Sequence, residues 1–276
     1  MPPENQLPCD DMIQRYRILL LTTFCGTLLV LTGPGCAHHD PLSPIFNYQR
    51  VGVEIGADFT SQEGSYMVGC GTFTEGAGTN LIAGAVYDKP VENIFRIELM
   101  GGFRTRHISG NYTTTEPSFI QTADGFVEAD LTYDNIGDAR FLYLFGQPSF
   151  KFYPVKALYV GAGVNLGFPL SVEMIYTKDI LTKAVTLESG EIIEAFYPSG
   201  EASDPHSKVF PSLDPDNVSP LLIDPVIYLG AEIRLNRRMY LGPRLTYTLP
   251  VMGAISDPEL KLTSLQGTIG IRYDLR

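Results

Sequence analysis

From Ile223 onward the chain alternates with a period of two. Ile223, Pro225, Ile227, Leu229, Ala231, Ile233 and Leu235 form one series, and Asp224, Val226, Tyr228, Gly230, Glu232 and Arg234 stand between them. After Asn236-Arg237-Arg238-Met239 the alternation resumes, with Leu241, Pro243, Leu245, Tyr247 and Leu249 against Tyr240, Gly242, Arg244, Thr246 and Thr248. Period two is the geometry of a strand, and so short a break joins antiparallel neighbours. Each run is about ten residues or more, long for a soluble sheet and about right for a tilted strand crossing a bilayer.

The rest of the chain repeats this unit. Alternating stretches fall at residues 50–60, 80–87, 94–107, 139–152, 158–168 and 261–275, which with the hairpin makes eight strands. A bulge is expected at Gln147-Pro148, where the aromatic series Phe141, Tyr143, Phe145 gives way to Phe150 and Phe152. The connections run long, short, long, short, long, short, long. Residues 61–79, 108–138, 169–221 and 250–260 are the long ones; extended hairpin arms are expected within 108–138, and a protruding hairpin at 187–196 around Ser189-Gly190. Long loops on one side and tight turns on the other are the habit of a membrane barrel, whereas a soluble sandwich has no reason for them. With 44% hydrophobic and 18% charged residues, 27 Gly and 20 Pro, the chain suits one turn-rich all-β domain.

The polar faces say which way the apolar faces point. They carry Glu54, Asp58, Glu98, Asp224, Glu232 and Asp274 against Arg96, Arg104, Arg106, Arg234, Arg244 and Arg272. The charges cancel, and every base is arginine, whose planar fork pairs with carboxylates where a solvated face would carry many lysines. Glycines such as Gly102, Gly161, Gly230 and Gly242 share that face, making room inside a barrel only wide enough for side chains. The expected fold is therefore an eight-stranded antiparallel up-and-down transmembrane β-barrel with a charged lumen. The alternative is a lipid-anchored soluble lipocalin-like barrel that binds an apolar ligand in its core.

The N-terminus reads as an export signal. Arg15 and Arg17 precede an apolar run of about 14 residues from Ile18 to Leu31, followed by Gly33-Pro34-Gly35. Residues 1–36 form this segment, with Met12 as the expected true start because Asp10 and Asp11 suit a basic leader poorly. Residues 37–49 then form a linker to the barrel domain at 50–276. Gly35-Cys36 resembles a lipoprotein box without its usual leucine, so Cys36 is a candidate for lipidation. Ordinary cleavage between Gly35 and His39, with Cys36 and Cys70 free or paired, is the other reading.

In the last strand Thr268, Gly270, Tyr273 and Leu275 are spaced like the C-terminal assembly signal of outer-membrane barrels. Together with the leader, the eight-strand rhythm and the stretch FLYLFGQPSFKFYPVKALYVGAGVNLGF at 141–168, this resembles the PorT-like outer membrane β-barrel family, whose architectural relatives are OmpX and the OmpA membrane domain. The resemblance implies a Gram-negative cell outer membrane and insertion by the outer-membrane assembly machinery. It implies little about task.

Chemistry is sparse. The histidines are His38, His39, His107 and His206, and no spacing fits a metal site, a nucleophile with its base, or a cofactor. His107 lies near the outer end of its strand, where a lipid-modifying barrel enzyme would keep a histidine; a polar rim residue is the plainer reading. Residues 169–221 carry nine carboxylates against Lys178, Lys183 and Lys208. Asp214-Pro215-Asp216-Asn217 offers oxygen ligands but lacks the glycine and terminal glutamate of an EF-hand. A net charge of −11 argues against nucleic acid. The expectation is a monomer without catalytic residues or an open pore. It sits in outer-membrane lipid and meets an extracellular protein or cation at its loops, with Tyr176, Phe196 and Tyr197 as aromatic anchors.

Overall fold

The computed structural model describes residues 48–276 other than residues 70, 93, 123–124, 156, 187–189, 191, 198–203, 214–216, 257–258 and 276. The period-two stretches form β1 (Gln49–Gly64), β2 (Ala77–Glu92), β3 (Phe95–Thr122), β4 (Gly125–Val155), β5 (Leu158–Ile180), β6 (Leu222–Ala231), β7 (Met239–Thr248) and β8 (Glu259–Leu275). Each pairs antiparallel with the next, and β8 returns to β1 with Leu275 opposite Gln49 and Leu260 opposite Gly64. The sheet is closed, so no wall strand is left with an open edge.

The register fixes the shape of the ring. From Gly163, opposite residues lead through Ser149, Glu98 and Asp88 to Arg50. In the other direction they lead through Val226, Thr248 and Ser264 to Thr60. The circuit returns displaced by 60 − 50 = 10 residues along β1. Over eight strands that stagger tilts each strand by roughly 40°.

Polarity is inverted relative to a soluble core. Outward positions carry Val53 (65% exposed), Ile55, Phe103, Phe150 (65%) and Ile269, while Arg96, Glu98, Arg244 and Arg272 are buried inside. Left in water, each such outward side chain would forgo about 1.5–3 kcal/mol of burial, so the ring requires an apolar surround. Outward apolar positions on β4 run from Leu142 to Phe152; at the strand tilt this spans roughly 25 Å, the height of the apolar band of a membrane barrel. Phe95 and Phe152, with ring centroids 5.2 Å apart, mark the edge of the belt at the turn end.

Beyond the belt's other edge the wall continues on one side only. β3 and β4 stay paired as far as Thr122 and Gly125, β5 follows to Ile180, and Ser207–Leu213 adds a further strand against β5. A short hairpin, Ala184–Thr186 with Ile192–Glu194, lies over this crest. Val185 and Ile193 pack there against the buried cluster of Ile120, Leu131, Tyr133, Ile180 and Ala195.

Several expectations are corrected. β4 keeps its inward parity from Leu131 to Tyr153, so there is no bulge at Gln147-Pro148. The irregularity lies on β5 instead, where Leu142 opposes Ser171 but Tyr143 opposes Pro169. This slip of one residue turns Met174 and Tyr176 inward. Phe141, Tyr143 and Phe145 face the lumen through the unbroken parity of β4. The arms expected within 108–138 are present as the paired outer ends of β3 and β4, up to Thr122 and Gly125, and the strands of the short hairpin pack against them through Val185 and Ile193.

Candidate functional site

The lumen is a stack of ion pairs held by the inward parity of seven strands. Arg244 Nη2 donates to Glu98 Oε1 at 2.5 Å, and Arg272 Nη2 donates to Glu54 Oε2 at 3.0 Å. Lys151 bridges Glu98 and Asp88, and Arg96 Nε donates to Asp88 Oδ1 at 2.5 Å. Nearer the turn end, Arg50 binds Asp274 at 2.9 Å and Glu232 at 2.5 Å, and its guanidinium lies over the Tyr240 ring at 4.2 Å. Toward the outer end the pairs loosen, with Arg104–Asp58 at 3.7 Å and Arg106–Asp224 at 3.9 Å. Arg104 also lies 5.8 Å from the Phe145 ring centroid, and Arg106 5.8 Å from that of Tyr143.

Eleven of the expected lumen charges thus sit inside: Glu54, Asp58, Arg96, Glu98, Arg104, Arg106, Asp224, Glu232, Arg244, Arg272 and Asp274. Arg234 does not. β6 ends at Ala231, the Glu232 amide bonds to the Ala157 carbonyl, and Arg234 turns out to bond the Asn236 carbonyl. Three lumen charges escaped the sequence reading: Arg50, Asp88 and Lys151. Lys151 corrects the expectation that every base is arginine. Parity alone could have found all three, since Arg50 continues Gly52 and Glu54, Asp88 continues Val86, and Lys151 continues Ser149. The buried bases Arg50, Arg96, Arg104, Arg106, Lys151, Arg244 and Arg272 face Glu54, Asp58, Asp88, Glu98, Asp224, Glu232 and Asp274, and the charges cancel. Two lumen glycines make the packing feasible, since a Cβ at Gly242 would meet the Arg272 guanidinium and one at Gly230 the Tyr159 ring.

The mouth above these pairs is filled by the first loop. Tyr66–Val68 and Gly71–Phe73 pair as a small hairpin whose Tyr66, Val68 and Phe73 are buried against Ile108, Phe141, Tyr176 and Leu262. Tyr66 stacks on Phe73 with centroids 5.2 Å apart, and its hydroxyl donates to the Gly137 carbonyl at 2.6 Å. Burial pushes the Tyr66 hydroxyl well above the usual tyrosine pKa. An apolar plug therefore sits on a lumen in which, among the described residues, the buried charges cancel, an arrangement unlike the apolar core that a lipocalin-like ligand needs.

Of the other expected sites, Thr268 faces the lumen and its hydroxyl donates to Glu54, Gly270 lies opposite Gly242, and Tyr273 points outward and accepts from Arg238 Nη1 at 3.0 Å. Leu275 points outward opposite Gln49. His107 Nε2 lies 3.1 Å from Asp138 Oδ1 at the outer edge of the belt. Tyr176, expected as an anchor in a loop, is buried on β5 with its hydroxyl donating to Asn135 at 2.6 Å, because the β5 slip turns it inward. Tyr197 donates to the Lys178 carbonyl, while Phe196 is exposed. Cys36 with the leader, Cys70, His38, His39 and residues 214–216 of the acidic tetrapeptide lie outside the described residues. Among the described residues no group of three or more His, Cys, Asp or Glu is arranged to hold a metal ion.

No family model and no curated protein matches this sequence. Among solved structures, the chain is similar to the attachment invasion locus protein Ail of Yersinia pestis at 11% identity, covering 82% of this chain and 99% of that one with a TM-score of 0.33. It is also similar to Neisserial surface protein A (12% identity, 82% and 97% covered, TM-score 0.30) and to CarO2 of Acinetobacter baumannii (13%, 81% and 99%, 0.30). At such scores the fold rests on the closed ladder and not on the neighbours. A closed antiparallel ring with an apolar outside and a charged inside is a transmembrane β-barrel of the outer-membrane class. Its site is an outer membrane, with the crest and plug on the long-loop side.

Proposed function

We propose that the protein is a monomeric, non-enzymatic outer-membrane interaction protein that presents the crest to partners outside the cell. The observation that carries this reading is the crest itself. An ordered sheet with its own buried cluster stands beyond the belt, and Phe119 (74% exposed) and Phe126 (72%) lie on one face near its tip. Exposed aromatics on a rigid support are the usual anchors of a protein interface. The neutral, packed lumen and the plug favour a closed wall over a pore. The carboxylates and the two aromatics together fit a partner protein with a cationic, partly apolar face. The spacing of Thr268, Gly270, Tyr273 and Leu275 supports recognition by the outer-membrane assembly machinery, and the stretch at 141–168 supports kinship with the PorT-like barrels.

Cells displaying the protein test the reading. Adhesion to protein-coated surfaces and to other cells is compared with that of cells displaying Phe119→Ala/Phe126→Ala at equal surface density. Loss of adhesion in the double variant is expected; equal adhesion would remove the crest as the interaction surface.

A further inference from the structure

The wall is interrupted between β2 and β3. Along the β2–β3 ladder the register passes from Ala77 opposite Ser109 directly to Ile82 opposite Arg104. Side chains fill the interval: the Leu81 amide donates to Thr105 Oγ1 at 3.0 Å, Asn80 Oδ1 accepts from the His107 amide, and Asn80 Nδ2 donates to the His107 carbonyl at 3.2 Å. A cleft of about 500 Å³ opens here, with Leu81 and Leu142 among its apolar walls and His107, Arg140, Ser171 and Glu173 along its polar side. Arg106 borders both this cleft and the lumen space behind it, and its side chain is buried on the lumen side, beside Asp224 and the Tyr143 ring.

The depth of the cleft identifies what passes beside it. Outward Leu142, Leu144 and Phe103 lie on the belt side, and outward Asp138 and Glu173 on the water side. Lipid headgroups of the outer leaflet therefore lie level with the cleft. Arg140 meets Glu173 only at 3.7 Å and is half exposed, so its fork is free to turn toward a headgroup oxygen. Guanidinium groups recognise phosphate oxygens by paired N–H donors, and basic pockets at a membrane surface are where lipid headgroups bind.

We propose that this cleft binds the phosphate headgroup of an outer-leaflet amphiphile, with Arg140 and His107 at the mouth and the acyl chains over Leu81 and Leu142. The proposal rests on the barrel lying in a membrane. The test uses the full chain folded in dodecyl maltoside and reads retained lipid by native mass spectrometry. Dioleoyl phosphatidic acid is the probe, dioleoylglycerol the neutral control and inorganic phosphate the soluble one. Heat-modifiable gel migration is read in parallel, so loss of the barrel is distinguished from loss of the site.

Phosphatidic acid is expected to be retained about tenfold over dioleoylglycerol. Arg140→Gln should lower retention about fivefold, and so should Ser171→Trp, which obstructs the cleft from outside without touching the lumen. Equal retention of the two lipids, or unchanged retention in both surface variants, would overturn the proposal. So would displacement by inorganic phosphate at equal concentration, which would show a free-anion site indifferent to the acyl chains.

Discussion

Arg244 and Glu98 meet across the lumen at 2.5 Å although 146 residues separate them in sequence, tying β7 to β3 through the middle of the barrel. Arg272 and Lys151 converge on the same carboxylate. Removing it leaves three cations in a closed space. Glu98→Leu is expected to cost about 3–5 kcal/mol in urea unfolding of the micelle-bound protein, the cost of breaking a buried pair from one side. Removing a cation as well, in Glu98→Leu/Lys151→Met, should recover part of that loss; a double variant as unstable as the additive sum would show that the charges are not coupled.

The plug is held by a contact that tolerates no extra carbon, because a Cβ at Gly137 would meet the ring of Phe73. Gly137→Ala should displace the plug hairpin and expose residues 65–73 to protease while the membrane wall stays resistant. Phe73→Ala should act in the same direction, with a packing loss of about 3–5 kcal/mol confined to the plug. Protease resistance equal to that of the parent in both variants would mean that the hairpin is not seated by these contacts.

Neither variant should open a conducting path. The ion pairs below the plug fill the lumen independently of it. Planar-bilayer recordings of Phe73→Ala are therefore expected to stay at baseline, and steady conductance would place the seal in the plug alone.

The crest should loosen in acid. The Glu116 carboxylate accepts a hydrogen bond from Lys178 Nζ at 2.7 Å and one from the Thr114 hydroxyl, and these hold its pKa below the usual carboxylate value, chiefly through Lys178. A lowered pKa in the folded state means stability that is present above the unfolded pKa and lost as the pH falls through the folded one. The pair is partly exposed, so the effect is small. Protection factors of crest amides, with the intrinsic pH dependence of exchange divided out, should fall as the pH falls below the ordinary glutamate range, and Glu116→Gln should flatten that dependence. An equally steep dependence in the variant would assign it to another group.

Alternation made the wall legible because each strand has one face in lipid and one in a charged lumen, and the same parity located most of the lumen charges. The misreadings have physical causes. Phe141, Tyr143 and Phe145 look like lipid-facing residues, but the outer lumen is itself lined with aromatic rings beneath the plug, so aromatic character does not separate inside from outside there. Asp88 precedes Pro90, which reads as a turn, yet β2 runs on to Glu92. The hairpin arms of the crest were legible within 108–138, but their buried side is completed by a hairpin from a distant part of the chain, which no local pattern shows. The cleft arises from an interrupted ladder, a relation between β2 and β3 that neither segment announces alone.

The inside-out closed barrel is tested most directly by gel migration of the detergent-folded protein before and after boiling. A compact, fast-moving band that slows on boiling is expected, since a ring closed by β1 and β8 and tied by lumen ion pairs resists detergent until heated. A monodisperse protein that folds without detergent and migrates identically in both lanes would contradict an apolar outer face and turn the barrel the other way out.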